Sequence, residues 1–430
     1  MLAILGKSTS PSRFQAQRAW NGARAFLAGG LLLWACSAEP EGGALAISAP
    51  EPPPSSELER VLGPFLSSYW QLPVPAQGEP AEEASPAERS LDPAVCGACH
   101  PKQFAEWRTS LHAAAFSPGF AGQLIEGELA APSELRACQR CHAPLTEQQP
   151  VTAQGDPEPA FDPSLRRQGV LCAACHVRLH RRYGPPRRAG LPPLAQPLPH
   201  GGFEERPEFL ESRFCAVCHQ FFDAVAPNGK PIENTYVEWT QSPQAAAGKH
   251  CQDCHMPDRA HLWRGIHDPD MVREAIEVEL FAGDLDAATL RATLVLANRG
   301  VGHAFPTYVT PRVELAVFQV GAAEVELPET RIQALIGREV DLGSMTERFD
   351  TRVLPGESVR LDYVRPRHPD ATALLARVTV DPDYHYRGVL AALRATLRDA
   401  KARAQIETAI RRISDSSYVL TEIRRDLAGD

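Results

Sequence analysis

Cys96-Gly97-Ala98-Cys99-His100 decides how this chain is read. The same pattern returns at Cys138–Cys141–His142, Cys172–Cys175–His176, Cys215–Cys218–His219 and Cys251–Cys254–His255. Each copy has two thiols separated by two residues and an imidazole directly behind the second. Two intervening residues bring both sulfurs to one turn, where they can add across the vinyl groups of one porphyrin. The histidine is then placed to bind the iron from one side, which is the attachment pattern of c-type haem. Paired Cys-x-x-Cys also binds zinc, but zinc does not call for histidine directly after the second thiol. With 14 His in 430 residues, a given position is His about 3% of the time, so five in five excludes chance. The motifs therefore predict five covalently bound haem c groups, and ten of the eleven cysteines are used.

The spacing from motif to motif is 42, 34, 43 and 36 residues, too uneven for a strict repeat. At about 36 residues per haem the cofactors must supply much of the core, so residues 91–270 are expected to be short helices and long loops. After residue 271 the pattern changes. Ile276 to Phe281, Leu290 to Ala297, Arg312 to Val320, Val359 to Val364 and Leu375 to Val380 read as strands, separated by turns such as Asn298-Arg299-Gly300. They predict an antiparallel β-sandwich over 271–387, immunoglobulin-like in architecture. From 388 to 430, Leu390, Leu393, Leu397, Ile406, Ile410, Ile413 and Leu420 recur at helical spacing. The expected fold class is α+β and multidomain: a mostly helical and loop multihaem cytochrome c domain, then the sandwich, then a C-terminal helix.

The N-terminus carries Lys7, Arg13, Arg18 and Arg24 before a short apolar run from Ala25 to Ala35, the pattern of an export signal rather than a membrane span. It ends in Leu33-Trp34-Ala35-Cys36, which resembles a bacterial lipobox and predicts a lipid anchor on Cys36. Residues 1–36 are thus expected to be a signal peptide of lipoprotein type. Residues 37–90, rich in Pro, Ala and Glu, are read as a flexible tether with a small apolar patch at Val61 to Trp70. The protein is expected to be periplasmic or anchored to the outer membrane of a bacterium. A net charge of −9 argues against nucleic acid as a partner.

Nine histidines lie outside the motifs, enough to give every iron a second imidazole. Pro101 to His112 reads as a helix with Phe104, Trp107 and Leu111 on one face. If continuous, it places His112 about 18 Å from His100, too far to share its iron, so His112 should serve another haem. His303, in Gly302-His303-Ala304-Phe305-Pro306-Thr307, sits between two strands, where Gly302 lets the backbone approach closely and Pro306 stiffens the loop. His267, His261, His200 and His180 are further candidate distal ligands, while His250 lies too close to its own motif. Arg178, Arg181, Arg182 and Tyr183 could line an anion site or pair with haem propionates.

The run from Cys96 through Trp107 and Ser110 to His112 resembles the opening of the nitrification-type tetrahaem cytochromes c. Gly169 to Arg178, Phe214 to Gln220, Trp239 to Ser242 and Cys251 to Pro257 with His261 and His267 extend the resemblance over about residues 91 to 310. It implies that His112 ligates a later haem, that of His176, and that the Gly302-His303 loop donates a distal ligand. Five motifs instead of four is a departure. The expected function is an extracytoplasmic electron carrier between redox protein partners, with a quinol-linked membrane donor. The alternative is a multihaem oxidoreductase with one open haem acting on a small nitrogen or sulfur compound.

Overall fold

The computed structural model describes Gly6–Lys7 and residues 55–430, apart from 131–135, 194–197, 222–225, 287, 342–343 and 428–430. Most of the expected signal peptide, Cys36 and the tether up to residue 54 lie outside the described residues. Gly6–Lys7 pairs antiparallel with Val359 and Arg360 at a sheet edge.

The first half is short helices joined by loops. Each attachment motif forms or ends a brief helical segment: Pro93–Gly97, Arg136–His142, Cys172–His176, Arg213–His219 and Cys251–His255. None is long enough to be stable alone.

The tether reading needs correction from Ser55 onward. Ser55–Tyr69 is a helix (α1), and its Leu62, Leu66 and Tyr69, with Trp70 and Val74 beyond it, are buried with Leu145, Leu171, Phe209 and Phe214. Full burial of an aliphatic side chain contributes about 1.5–3 kcal/mol. An apolar patch that finds an apolar surface beside it therefore docks instead of staying in water. Val74 N donates to Pro144 O (2.7 Å) and Thr146 N to Val74 O (3.0 Å). The Arg178 guanidinium lies 3.8 Å from the Tyr69 ring centre and its Nε donates to Tyr69 O.

Pro101–Arg108 (α2) is shorter than expected. It ends because Thr109 and Ser110 turn their hydroxyls back onto the carbonyls of Glu106 (2.8 Å) and Trp107 (2.7 Å). His112 follows in a turn whose carbonyl accepts from Val170 N at 2.9 Å. Gly169, at φ +60°, permits this approach: a Cβ there would lie 2.4 Å from His112 O. Pro118–Ala130 (α3) comes next, then Thr235–Thr240 (α4) between the last two motifs.

The second half is a two-sheet sandwich, entered through Pro269–Ala275 (α5). Its strands are Ile276–Ala282 (β1), Thr289–Asn298 (β2), Arg312–Val320 (β3), Ile332–Ile336 (β4), Arg338–Asp341 (β5), Thr346–Asp350 (β6), Ser358–Pro366 (β7), Ala373–Asp381 (β8) and Tyr418–Asp426 (β9). One sheet runs β7–β2–β1 with Gly6–Lys7 at its edge, the other β9–β8–β3–β4, and β5–β6 form a hairpin. Alternate residues face one shared core, including Leu290, Leu294 and Leu296 of β2, Val313, Leu315 and Val317 of β3, and Leu361 and Tyr363 of β7.

The C-terminus also needs correction. Tyr384–Thr396 (α6) and Ala400–Ile413 (α7) are helical, but Leu420 lies on β9, antiparallel to β8. The single helical period breaks at Asp415-Ser416-Ser417, and Tyr418-Val419-Leu420-Thr421 has the β-branched and aromatic content of a strand. Val389, Leu390, Leu393, Ile406 and Ala409 form a separate cluster reaching Ile125 of α3, so the C-terminal helices pack on the haem domain.

Candidate haem centre

Histidine rings meet in pairs. His100 faces His200 at 6.5 Å between ring centres, His112 faces His219 at 6.2 Å, His176 faces His261 at 6.2 Å, and His255 faces His303 at 6.3 Å. A metal–imidazole bond of about 2 Å plus about 1.1 Å from nitrogen to ring centre, taken twice, gives about 6.2 Å. Each pair thus has the separation that one six-coordinate iron fills. In every pair one partner is a motif histidine and the other comes from a distant loop.

Burial keeps His112, His176 and His303 neutral, the form that binds metal, whereas at His219 burial is outweighed by the Glu233 carboxylate, which raises it. Burial pushes His112 down to about 3, and His176 and His303 down to about 4, against backbone hydrogen bonds that raise the latter two. Backbone carbonyls orient most of the rings through Nδ1. His142 is held by Ala115 O (2.7 Å), His176 by Tyr183 O (2.8 Å) and His255 by Arg264 O (2.6 Å). On the distal side, Gly202 O holds His200 (2.8 Å), Arg259 O holds His261 (3.0 Å) and Ala304 O holds His303 (3.0 Å). A carbonyl on Nδ1 fixes the tautomer and frees Nε2 for iron. His219 differs: Oε1 of Glu233 lies 3.8 Å from its Nδ1.

His142 has no imidazole opposite it among the described residues. Phe120 of α3 stacks on its ring at 4.4 Å and 18°. The residues present thus fit four irons with two imidazoles each and a fifth with one.

Motif thiols also touch one another. Cys96 lies beside Cys172, Cys141 beside Cys218, and Cys215 beside Cys251. The haem seats are therefore side by side. Nine motif cysteines are free thiols.

The expected distal ligands divide. His112, His200, His261 and His303 stand opposite motif histidines. His112 meets His219 of the fourth motif, not His176 as the resemblance implied; His176 takes His261 instead. His180 is engaged elsewhere, its Nε2 on Gly78 O (2.9 Å) and its Nδ1 near Glu88 O (3.4 Å), both from the segment read as tether. His267 sits on the Asp383 carboxylate (3.2 Å), tied to the start of α6 rather than facing a motif ring. The arginine cluster does not form an anion site. Arg178 packs on Tyr69, Arg181 pairs with Glu204, and Arg182 donates to the carbonyls of Ala87 and Glu88.

Several supporting residues carry no sequence signal. Trp263 lies edge-on to both His112 (4.7 Å) and His261 (5.1 Å), between two distal ligands. Glu238 of α4 accepts from Ala304 N (3.0 Å) and from Arg352 Nη1 (3.0 Å), which locks the His303 loop to the haem domain. Arg352 is 3% exposed and also bonds Asp350. Charged residues of ordinary spacing say nothing about burial, so neither Glu238 nor Arg352 stands out from the text.

With paired imidazoles at every motif but one, on a helical domain followed by a β-rich one, the fold and site have the arrangement that several covalently attached haem c groups require. The profile of the family described as cytochrome c554 and c-prime matches residues 95–177. Among solved structures, the chain is similar to a penta-heme cytochrome c552 from Thermochromatium tepidum, at 20% identity and a TM-score of 0.56, covering 80% of this chain and 100% of that one. No curated protein matches.

Proposed function

We propose that the protein is an exported pentahaem electron relay, one haem per motif, passing electrons between redox partners with a quinol-linked donor at one end. One observation carries this reading: four motif histidines each face a second imidazole at the separation one iron fills. Iron held by two imidazoles has no open position and is suited to electron transfer. The haem supplies that one-electron chemistry, and the chain supplies seats, ligands and orientation. The thiol contacts support continuity. First and third motifs touch, second and fourth touch, fourth and fifth touch, and Cys175 lies close enough to Cys215 to affect it electrostatically. The fourth motif is thus the junction. Export and anchoring through Cys36 rest on the N-terminal pattern, and kinship with nitrification-type cytochromes on the resemblance around Cys96 to His112.

His142 favours a second reading. A haem held there has one described imidazole, and an iron with a single protein ligand is what an oxidoreductase acting on a small nitrogen or sulfur compound requires.

Intact mass and low-temperature electron paramagnetic resonance with spin counting test both readings on the loaded protein. The expected result is five haems, four low-spin and one high-spin. Fewer than five haems would sink the relay. Five low-spin centres would sink the open-site reading and leave a carrier alone.

A further inference from the structure

Glu233 stands apart from every other partner of the paired imidazoles. Three motif histidines and three distal ones direct Nδ1 to neutral backbone carbonyls. Among the described residues, only His219 of these rings has a carboxylate within 4 Å, Glu233 at 3.8 Å. The side chain is 17% exposed, so water screens it little. It is also held in place. Thr235 Oγ1 donates to Glu233 Oε1 (2.8 Å), and the same hydroxyl meets Thr307 Oγ1 at 2.6 Å. The Glu233 carbonyl accepts from Phe221 N (2.8 Å), two residues past His219. A carboxylate anchored from both the motif segment and the His303 loop is a fixed charge, not a mobile surface group.

We propose that Glu233 is a positioning residue that lowers the reduction potential of the haem attached at Cys215 and Cys218. At 3.8 Å from Nδ1 the carboxylate acts on the His219 ring through its charge, and a fixed negative charge there favours ferric over ferrous iron because reduction adds an electron beside it. The couple is one-electron, no bond is made or broken, and the electron comes from a neighbouring haem. Because the fourth motif touches the second and the fifth and lies beside the third, the effect falls on the junction. A low-potential junction holds electrons briefly and hands them on to whichever neighbour is drained. Thr307 and Thr235 tie this carboxylate to the loop that carries His303, so docking of the sandwich also sets the orientation of Glu233. The inference rests on the relay reading above.

The test is a redox titration of loaded Glu233→Gln followed by electron paramagnetic resonance. The His112–His219 rings cross at 62°, against 33°, 32° and 9° for the other pairs. Steeply crossed axial rings give the largest principal g value, which identifies this haem among the low-spin signals. Glu233→Gln should favour its reduction tenfold or more, about 59 mV for one electron, with the other low-spin haems unmoved. Glu233→Asp should restore most of the shift, and Thr235→Val should move the same signal the same way by less. Five haems by mass with that signal titrating at its wild-type potential would overturn the inference and leave the relay standing. So would a common drift of all potentials. Fewer than five haems in the wild-type protein would remove the relay reading itself.

Discussion

Replacing Arg352 by Met should be among the most damaging single changes outside the attachment motifs. Arg352 is 3% exposed and answers two carboxylates, Glu238 at 3.0 Å and Asp350 at 2.9 Å, besides the Thr307 carbonyl. Methionine fills part of the volume but leaves Glu238 buried without its cation. Removing one partner of a buried pair costs about 3–5 kcal/mol. For a folding unit the size of the sandwich, this lowers the melting temperature by about 6–20 °C at 2–4 °C per kcal/mol. The pH dependence has a definite sign. Burial would raise Asp350, but the Arg352 and Lys230 bonds outweigh it and hold its carboxyl well below the usual range. A carboxyl depressed by folding contributes stability above its unfolded pKa and loses it as pH falls through its folded one. Burial raises Glu238, against Arg352, and without that cation it should protonate more readily still. Both effects make the deficit of Arg352→Met largest near neutral pH and smaller in acid. Adding Glu238→Gln should recover part of the loss, because a neutral amide still accepts from Ala304 N and no charge stays unpaired. Urea unfolding followed by circular dichroism, at several pH values, measures all of this. A loss below about 1 kcal/mol, the size of an exposed pair, or a deficit that grows in acid would refute the reasoning.

Other outcomes follow from the haem centre. His112→Ala should convert one low-spin haem to high-spin, and the signal lost should be the one with the largest g value; loss of any other signal would contradict the pairing with His219. Cyanide or nitric oxide added to the loaded protein should bind one haem per chain, and Phe120→Ala should change the affinity of that haem while leaving the bis-imidazole spectra alone. Gly169→Ala should destabilise by at least about 1–3 kcal/mol from its φ of +60° alone, with added disturbance of the His112 signal because the new Cβ meets His112 O; an unchanged resonance spectrum and melting curve would count against that close contact.

The sequence made the attachment sites legible because covalent haem imposes a local pattern, and it made β1, β2, β3, β7 and β8 legible because alternation is local too. His112 stood out through the helix length that separates it from His100, and His303 through the resemblance of its loop; both rings face motif imidazoles. Their partners were not legible. His112 and His219 are brought together by the turn after α2 and the contact with Gly169-Val170, which no window of sequence contains. His267 failed as a ligand candidate for a similar reason: Asp383, which takes it, arrives from the far side of β8. The tether reading failed from Ser55 because composition averaged a polar segment over a short apolar one, and Leu62, Leu66, Tyr69 and Trp70 needed only a neighbouring surface to bury against.

The four ring pairs also have a topological consequence. Through one iron each, His100 would join His200, His112 His219, His176 His261 and His255 His303, closing loops of 100, 107, 85 and 48 residues. The spans overlap, each opening before the previous one has closed, so the links are interleaved like the teeth of a zip. By the chain-entropy rule for cross-links, a loop of 100 residues is worth about 4.7 kcal/mol, although a coordination bond is reversible where a covalent one is not. No segment between His100 and His303 can come free without opening a link that another segment shares. Release of a single iron ligand therefore loosens the chain across several seats at once, and the haem domain should open as a unit, not haem by haem.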